Sequence, residues 1–185
     1  MNSNNVLLLP GWQNSGPHHW QSLWELEYGY TRVDQHDWMR PRRGDWIARL
    51  EEVLLGQTGP AVLVAHSLGC QLVAAWAAHS RNTHRVKAAL LVAPPDVERE
   101  EMRPIFPTWS PIPRQPLPFR ALVLSSRNDP YCGAERAQVM AETWGAEFKS
   151  YGQFGHINAD SGLGLWREGH SMLQDLQQTP LKKED

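Results

Sequence analysis

The chain has 185 residues, 41% hydrophobic and 21% charged, with a formal net charge of -2. That supports one substantial core, falls short of two ordinary domains, and offers no basic block of the density that nucleic acid or an anionic membrane surface requires. No apolar run approaches the ~20 residues of a bilayer span, Met1-Asn2-Ser3-Asn4-Asn5 lacks the positive charge that opens a secretory signal, and Cys70 and Cys132 read as free buried thiols, so a soluble cytoplasmic protein is expected.

In chain order, residues 6–9 form an apolar run that reads as a first strand, and Trp20, Leu23, Trp24 and Tyr28 then fall at helical spacing. Residues 31–33 read as a short second strand. Asp45 is placed to cap a helix whose apolar face is Trp46, Ile47, Leu50, Val53 and Leu54. Residues 61–65 are a third strand, followed at once by a helix burying Leu68, Leu72, Val73 and Trp76. Further strands are predicted at 86–92, 120–125 and 146–151, with helices at 133–144 and 164–178 and a solvated tail over 179–185. Residues 94–118 break the alternation, because eight of the fourteen prolines fall there and forbid one regular helix. This segment replaces a cap beside the sheet edge, offering Ile105, Phe106 and Trp109 as apolar surface, or it is a stiff connector. Alternating strands and helices imply a three-layer α/β sandwich over residues 1–178 with a mostly parallel sheet of five or six strands.

Ala65-His66-Ser67-Leu68-Gly69 sits between a predicted strand and a predicted helix, which is the setting of a nucleophile elbow. The usual pattern is G-x-S-x-G, and alanine at the first glycine position adds one methyl group to a crowded turn. An acid and a base follow in the order an α/β-hydrolase uses. Asp129 lies just past strand 120–125, and His156 lies a few residues past strand 146–151, so three reactive side chains come from the carboxyl ends of three strands. Asp96, past strand 86–92, is the alternative acid. His170 also follows Asp129 but lies within a helical pattern, His66 occupies the variable slot of the elbow and receives no catalytic role, and His18-His19 lacks a third ligand for a metal. Neither metal nor cofactor is required. Acyl transfer needs two backbone donors for a developing oxyanion. Leu68 supplies one, and the loop Pro10-Gly11-Trp12-Gln13-Asn14-Ser15-Gly16 supplies the other through Trp12, with Gln13 as the fallback. Trp12, Trp109 and Tyr131 are the expected walls of a shallow pocket for a small-molecule acyl substrate.

With these motifs in place, the chain resembles the small α/β-hydrolase family of retinoblastoma-binding-type and YdeN-like serine hydrolases over nearly its whole length. The matching segments are Pro10-Gly11, His19-Trp20, Trp24-Glu25, the elbow at Ser67, Asn128-Asp129-Pro130, Gly155-His156, and Ser161-Gly162-Leu163-Gly164-Leu165-Trp166. The resemblance implies a triad of Ser67, Asp129 and His156 on an α/β-hydrolase fold with a minimal cap, and esterase or peptidase-like activity. The retinoblastoma contact is not carried over, since it is associated with L-x-C-x-E and Leu68-Gly69-Cys70-Gln71-Leu72 lacks the glutamate. The expected function is cleavage of a small ester or related acyl bond through an acyl-enzyme. The rivals are a peptidase or thioesterase using the same triad, and a hydrolase-like binding module in which recognition alone survives.

Overall fold

In the computed structural model, which describes residues 5–178, six parallel strands are arranged in the order β2-β1-β3-β4-β5-β6. They are β1 Val6–Leu9, β2 Thr31–Arg32, β3 Ala61–His66, β4 Val86–Val92, β5 Arg120–Ser125 and β6 Glu147–Ser150. The helices are α1 Trp20–Tyr28, α2 Arg43–Leu55, α3 Leu68–His79, α4 Ala134–Thr143 and α5 Arg167–Gln178. The α/β-hydrolase-like architecture expected from the sequence is present, and the expected tail at 179–185 lies outside the described residues. Among those residues no helix is long and apolar enough to cross a membrane.

The strands alternate their side chains between two cores, as a pleated backbone requires. Leu7, Leu9, Leu63, Ala65, Ala89, Leu91, Ala121 and Val123 face the layer that holds α2, α3 and α4. Val6, Leu8, Val62, Val64, Ala88, Leu90, Val92 and Leu124 face α1 and α5. One irregularity interrupts the alternation: Ala61 pairs with Val86 but Val62 with Ala88, so Lys87 is bulged out to solvent. Because both faces are covered, the central strands carry no polar face, which is why they read in sequence as continuous apolar runs. Helix α3 follows the same logic: every residue from Leu68 to Trp76 is buried.

Two expectations are corrected by local geometry. Helix α2 begins at Arg43, and Arg42 occupies the cap position without a side-chain hydrogen bond, so Asp45 sits inside the first turn. There its carboxylate complements the positive end of the helix rather than capping it. Residues 94–118 contain neither helix nor strand, as the prolines require, but two of the three apolar residues expected at their surface are buried. Phe106 is 4% exposed and Trp109 only 1%, leaving Ile105 at 44%. The segment is tied down by Arg136, whose guanidinium reaches Asp96 at 3.2 Å and Glu98 at 2.6 Å, and by Arg43, which donates to the Pro111 carbonyl.

The sheet is wound outward from β1 to β2 and then back across β1 to β3, so the winding reverses between β1 and β3. At such a switch point the loops leaving the two strands diverge, and a crevice opens at their carboxyl ends. The glycine loop after β1 and the elbow after β3 therefore face each other.

Candidate active site

Ser67 alone makes the turn from β3 to α3, with φ 55° and ψ −127°, a backbone conformation costly for a residue with a Cβ. Neighbouring strands and the helix hold it there: its N–H donates to the Val92 carbonyl at 2.9 Å, and its carbonyl accepts from Cys70 N–H at 2.8 Å. The crowding explains the glycines. A Cβ on Gly69 would lie 2.2 Å from the Leu9 carbonyl oxygen, and one on Gly11 would lie 2.8 Å from Ser67 Cβ and 3.0 Å from the Leu68 nitrogen.

Ser67 Oγ lies 2.8 Å from His156 Nε2, and His156 Nδ1 lies 2.9 and 3.0 Å from the two carboxylate oxygens of Asp129. Asp129 therefore fixes the imidazole with its proton on Nδ1, leaving Nε2 to accept from the serine hydroxyl. The carboxylate also accepts from Tyr131 N–H at 2.9 Å. Asp96 is not the partner of His156, since it pairs with Arg136 instead. His170 is likewise committed elsewhere, 2.8 Å from the Tyr30 hydroxyl and stacked on Tyr28 at 3.8 Å. The loops that present Asp129 and His156 are bound to each other through Asn128, whose Oδ1 accepts from Ser126 Oγ at 2.7 Å and from Gly155 N–H at 2.9 Å.

His66, given no role from the sequence, donates from Nε2 to the carbonyl of His156 at 2.9 Å and so backs the loop that carries it. Burial and the neighbouring imidazoles of His19 and His156 hold its pKa well below the ordinary range. His19 accepts from Gln21 N–H through Nδ1 at 3.1 Å, capping α1, while its Nε2 is buried without a hydrogen-bond partner among the described residues. Burial first, then Arg32 and His156, lower its pKa to about 3. Both rings are therefore neutral packing elements behind the serine. A packing role for His19 was the favoured reading of the His18-His19 pair in the sequence, whereas the role of His66 was not legible, because its partner lies 90 residues away.

The amides of Trp12 and Leu68 make no hydrogen bond among the described residues, whereas Gln13 N–H is engaged by the Trp38 carbonyl at 3.1 Å. Of the two expected donors in this loop, Trp12 is thus the one left open. Gln13 and Asn14 both have positive φ, 67° and 65°. Arg32 holds that bend: it donates to Asn14 Oδ1 at 2.6 Å, the Ser15 carbonyl at 3.0 Å and Ser22 Oγ at 2.7 Å, and pairs with Glu25 at 2.7 Å.

A cavity of about 300 Å³ opens over Ser67 and His156. Trp12, Met102, Ile105, Phe106 and Tyr131 form its apolar wall, and Asn14 and Asn158 add polar atoms. Trp12 and Tyr131, expected as pocket walls, both line this cavity. Trp109 does not: its indole donates to the Pro41 carbonyl at 2.9 Å and packs edge-on against Trp46, so it supports the wall from inside the core. Cys70 and Cys132 are both buried, which pushes the first thiol well up and the second up to about 12, so neither is a thiolate nucleophile.

A parallel sheet with a serine on a strained strand-to-helix turn, backed by histidine and aspartate from later strand ends, defines the class of α/β hydrolases. The chain belongs to the serine hydrolase family, whose model matches residues 6–175. Among solved structures it is similar to a YdeN-like hydrolase of Pectobacterium atrosepticum, with 29% identity over 94% of this chain and 90% of that one and a TM-score of 0.83. The ydeN gene product of B. subtilis superposes with a TM-score of 0.74 at 18% identity, covering 94% of this chain and 98% of that one. Esterase RhEst1 from a Rhodococcus species gives a TM-score of 0.67 at 16% identity, covering 97% and 93%. The last two likenesses concern the fold alone. No curated protein sequence matches the chain.

Proposed function

We propose that the protein hydrolyses a small ester through an acyl-enzyme on Ser67. The observation that carries this reading is the unbroken chain from Ser67 Oγ through His156 to Asp129, set beside two unengaged amides. His156 Nε2 takes the hydroxyl proton as Oγ bonds to the ester carbonyl carbon, and Asp129 stabilises the imidazolium. The carbonyl oxygen becomes an oxyanion that accepts from Leu68 N–H and Trp12 N–H, where one such donor is worth ~3 kcal/mol. The C–O bond to the alcohol then breaks, and the alcohol leaves with the proton from Nε2. Water, deprotonated by the same nitrogen, attacks the acyl carbon and releases the acid, restoring the Ser67 hydroxyl. The apolar wall of Trp12, Met102, Ile105 and Phe106 suits a small apolar acyl group.

Intact mass after exposure to a fluorophosphonate tests the reading. One adduct on the native chain and none on Ser67→Ala is expected. Absence of an adduct on folded native protein would leave the binding-module alternative in its place.

A further inference from the structure

Beside the cavity over Ser67 lies a second hollow of about 420 Å³, and the two share Tyr131, His156 and Asn158. Its remaining walls are Pro130, Gln153, Phe154, Gly155, Asp160 and Ser161. The loop that forms it is held by its own hydrogen bonds. Ser161 Oγ donates to the Phe154 carbonyl at 2.6 Å, Asn158 N–H to Ser161 Oγ at 3.0 Å, and Ile157 N–H to the Phe154 carbonyl at 3.1 Å. Phe154 N–H and Gly155 N–H are occupied by Ser126 and Asn128. With that much backbone satisfied internally, side chains dominate what a ligand meets.

Set among neutral polar side chains, three of the lining residues share a preference for cations. Tyr131 is 41% exposed and Phe154 39%, although large aromatic side chains ordinarily withdraw from water. The Phe154 ring lies on Tyr151 at 5.0 Å and the Tyr131 ring stands edge-on to His156 at 4.6 Å, so both are fixed. Asp160 is exposed and its carboxylate has no cationic partner among the described residues. No lysine or arginine lines either hollow. Aromatic faces attract cations through their negative quadrupole, and quaternary ammonium groups are the ligands for which aromatic walls are characteristically built. An unpaired carboxylate beside them adds charge of the same preference.

We infer that this second hollow receives the alcohol side of the substrate, and that the alcohol carries an alkylammonium group. The inference rests on the ester-hydrolase reading of Ser67, which also sets the direction. The alcohol must sit against His156, because its oxygen takes the proton from Nε2 as the C–O bond breaks. The second hollow adjoins His156 without including Ser67, which puts it on the leaving-group side. The apolar acyl group then occupies the first cavity.

Two measurements on the full chain test this. First, equilibrium binding of choline is compared with its neutral isostere 3,3-dimethylbutan-1-ol by NMR titration. Choline is expected to bind at least about five-fold more tightly, with Asp160→Asn or Phe154→Ala bringing the ratio towards one. Equal binding of the two alcohols, or a ratio indifferent to both substitutions, overturns the proposal whatever the enzyme hydrolyses. Second, kcat/KM is compared for butyrylcholine and 3,3-dimethylbutyl butyrate, which share one acyl group. A preference of about five-fold for the charged ester, lost in Asp160→Asn, supports the assignment to the alcohol side. Equal turnover, with Ser67 labelled by fluorophosphonate, overturns it. Failure of labelling would count against the hydrolase reading and hence the assignment to an alcohol, while the binding comparison would still decide whether the hollow is a cation site.

Discussion

At Gly11 and Gly69 the missing Cβ serves two different ends. A methyl group on Gly69 would meet the backbone of β1, with a carbonyl oxygen at 2.2 Å, and neither partner can rotate away. Gly69→Ala should therefore lose about 3 kcal/mol of stability through overpacking, measured as a lower urea midpoint. A methyl group on Gly11 instead reaches Ser67 Cβ and the Leu68 nitrogen, the space an oxyanion needs. Gly11→Ala is expected to lower kcat/KM at least ~100-fold, the scale of a lost oxyanion donor, with far-UV CD close to native. Native turnover by that variant would sink the assignment of Leu68 N–H. The glycine pattern of the elbow was legible because steric rules at a strand-to-helix turn are local. Alanine at the first glycine position reads in sequence as a mild departure, and Ala65 is fully buried in the structure.

Element β2 is only two residues long, yet it holds the loop that carries Trp12. Its Arg32 is 10% exposed and bonds Asn14, Ser15, Ser22 and Glu25 at once. Periodicity announced the strand but not the clamp, since Asn14 and Ser15 lie well over a dozen positions away and nothing in local spacing links them. For the same reason Trp109 was misplaced: its burial comes from contacts with Pro41 and Trp46, remote in sequence. By contrast, the placement of Ser67, Asp129 and His156 together was readable, because each follows a strand, apolar for the first two and the mostly exposed Glu147–Ser150 for the third, and the carboxyl ends of parallel strands converge. Replacing Arg32 with Met leaves the Ser15 carbonyl and Asn14 Oδ1 without their donor and frees the loop. The expected result is a fall of at least ~10-fold in kcat with little change in KM, because in the proposed mechanism the Trp12 amide acts on the transition state. Arg32→Lys should restore little of it, as one ammonium cannot reproduce a planar fork of donors. A loss confined to KM would place Arg32 in substrate binding instead.

Across the whole molecule, the sheet edge that gathers the reactive groups also gathers uncharged imidazoles, and this ties stability to pH. His19 is 5% exposed and its pKa is lowered to about 3, mainly by burial and then by Arg32 and His156. In the unfolded chain the same ring titrates near its ordinary 6.5. Between these values the unfolded state binds a proton that the folded state refuses, so stability rises with pH across that interval and falls as the solution is acidified. For this one residue the slope grows as the unfolded ring becomes protonated and amounts to roughly 2 kcal/mol between pH 6.5 and 4.5. His66 is shifted in the same direction and adds to it. His19→Asn keeps an oxygen acceptor for Gln21 N–H at the start of α1 and removes the titration. Urea denaturation of both proteins at pH 7 and pH 4.5 should show the variant losing roughly 2 to 3 kcal/mol less than the wild type on acidification. Parallel losses would mean that His19 is not held neutral, and acid sensitivity would then have to come from the carboxylates, among them Glu51, whose hydrogen bonds from Trp76, Ser80 and Asn82 keep its pKa low.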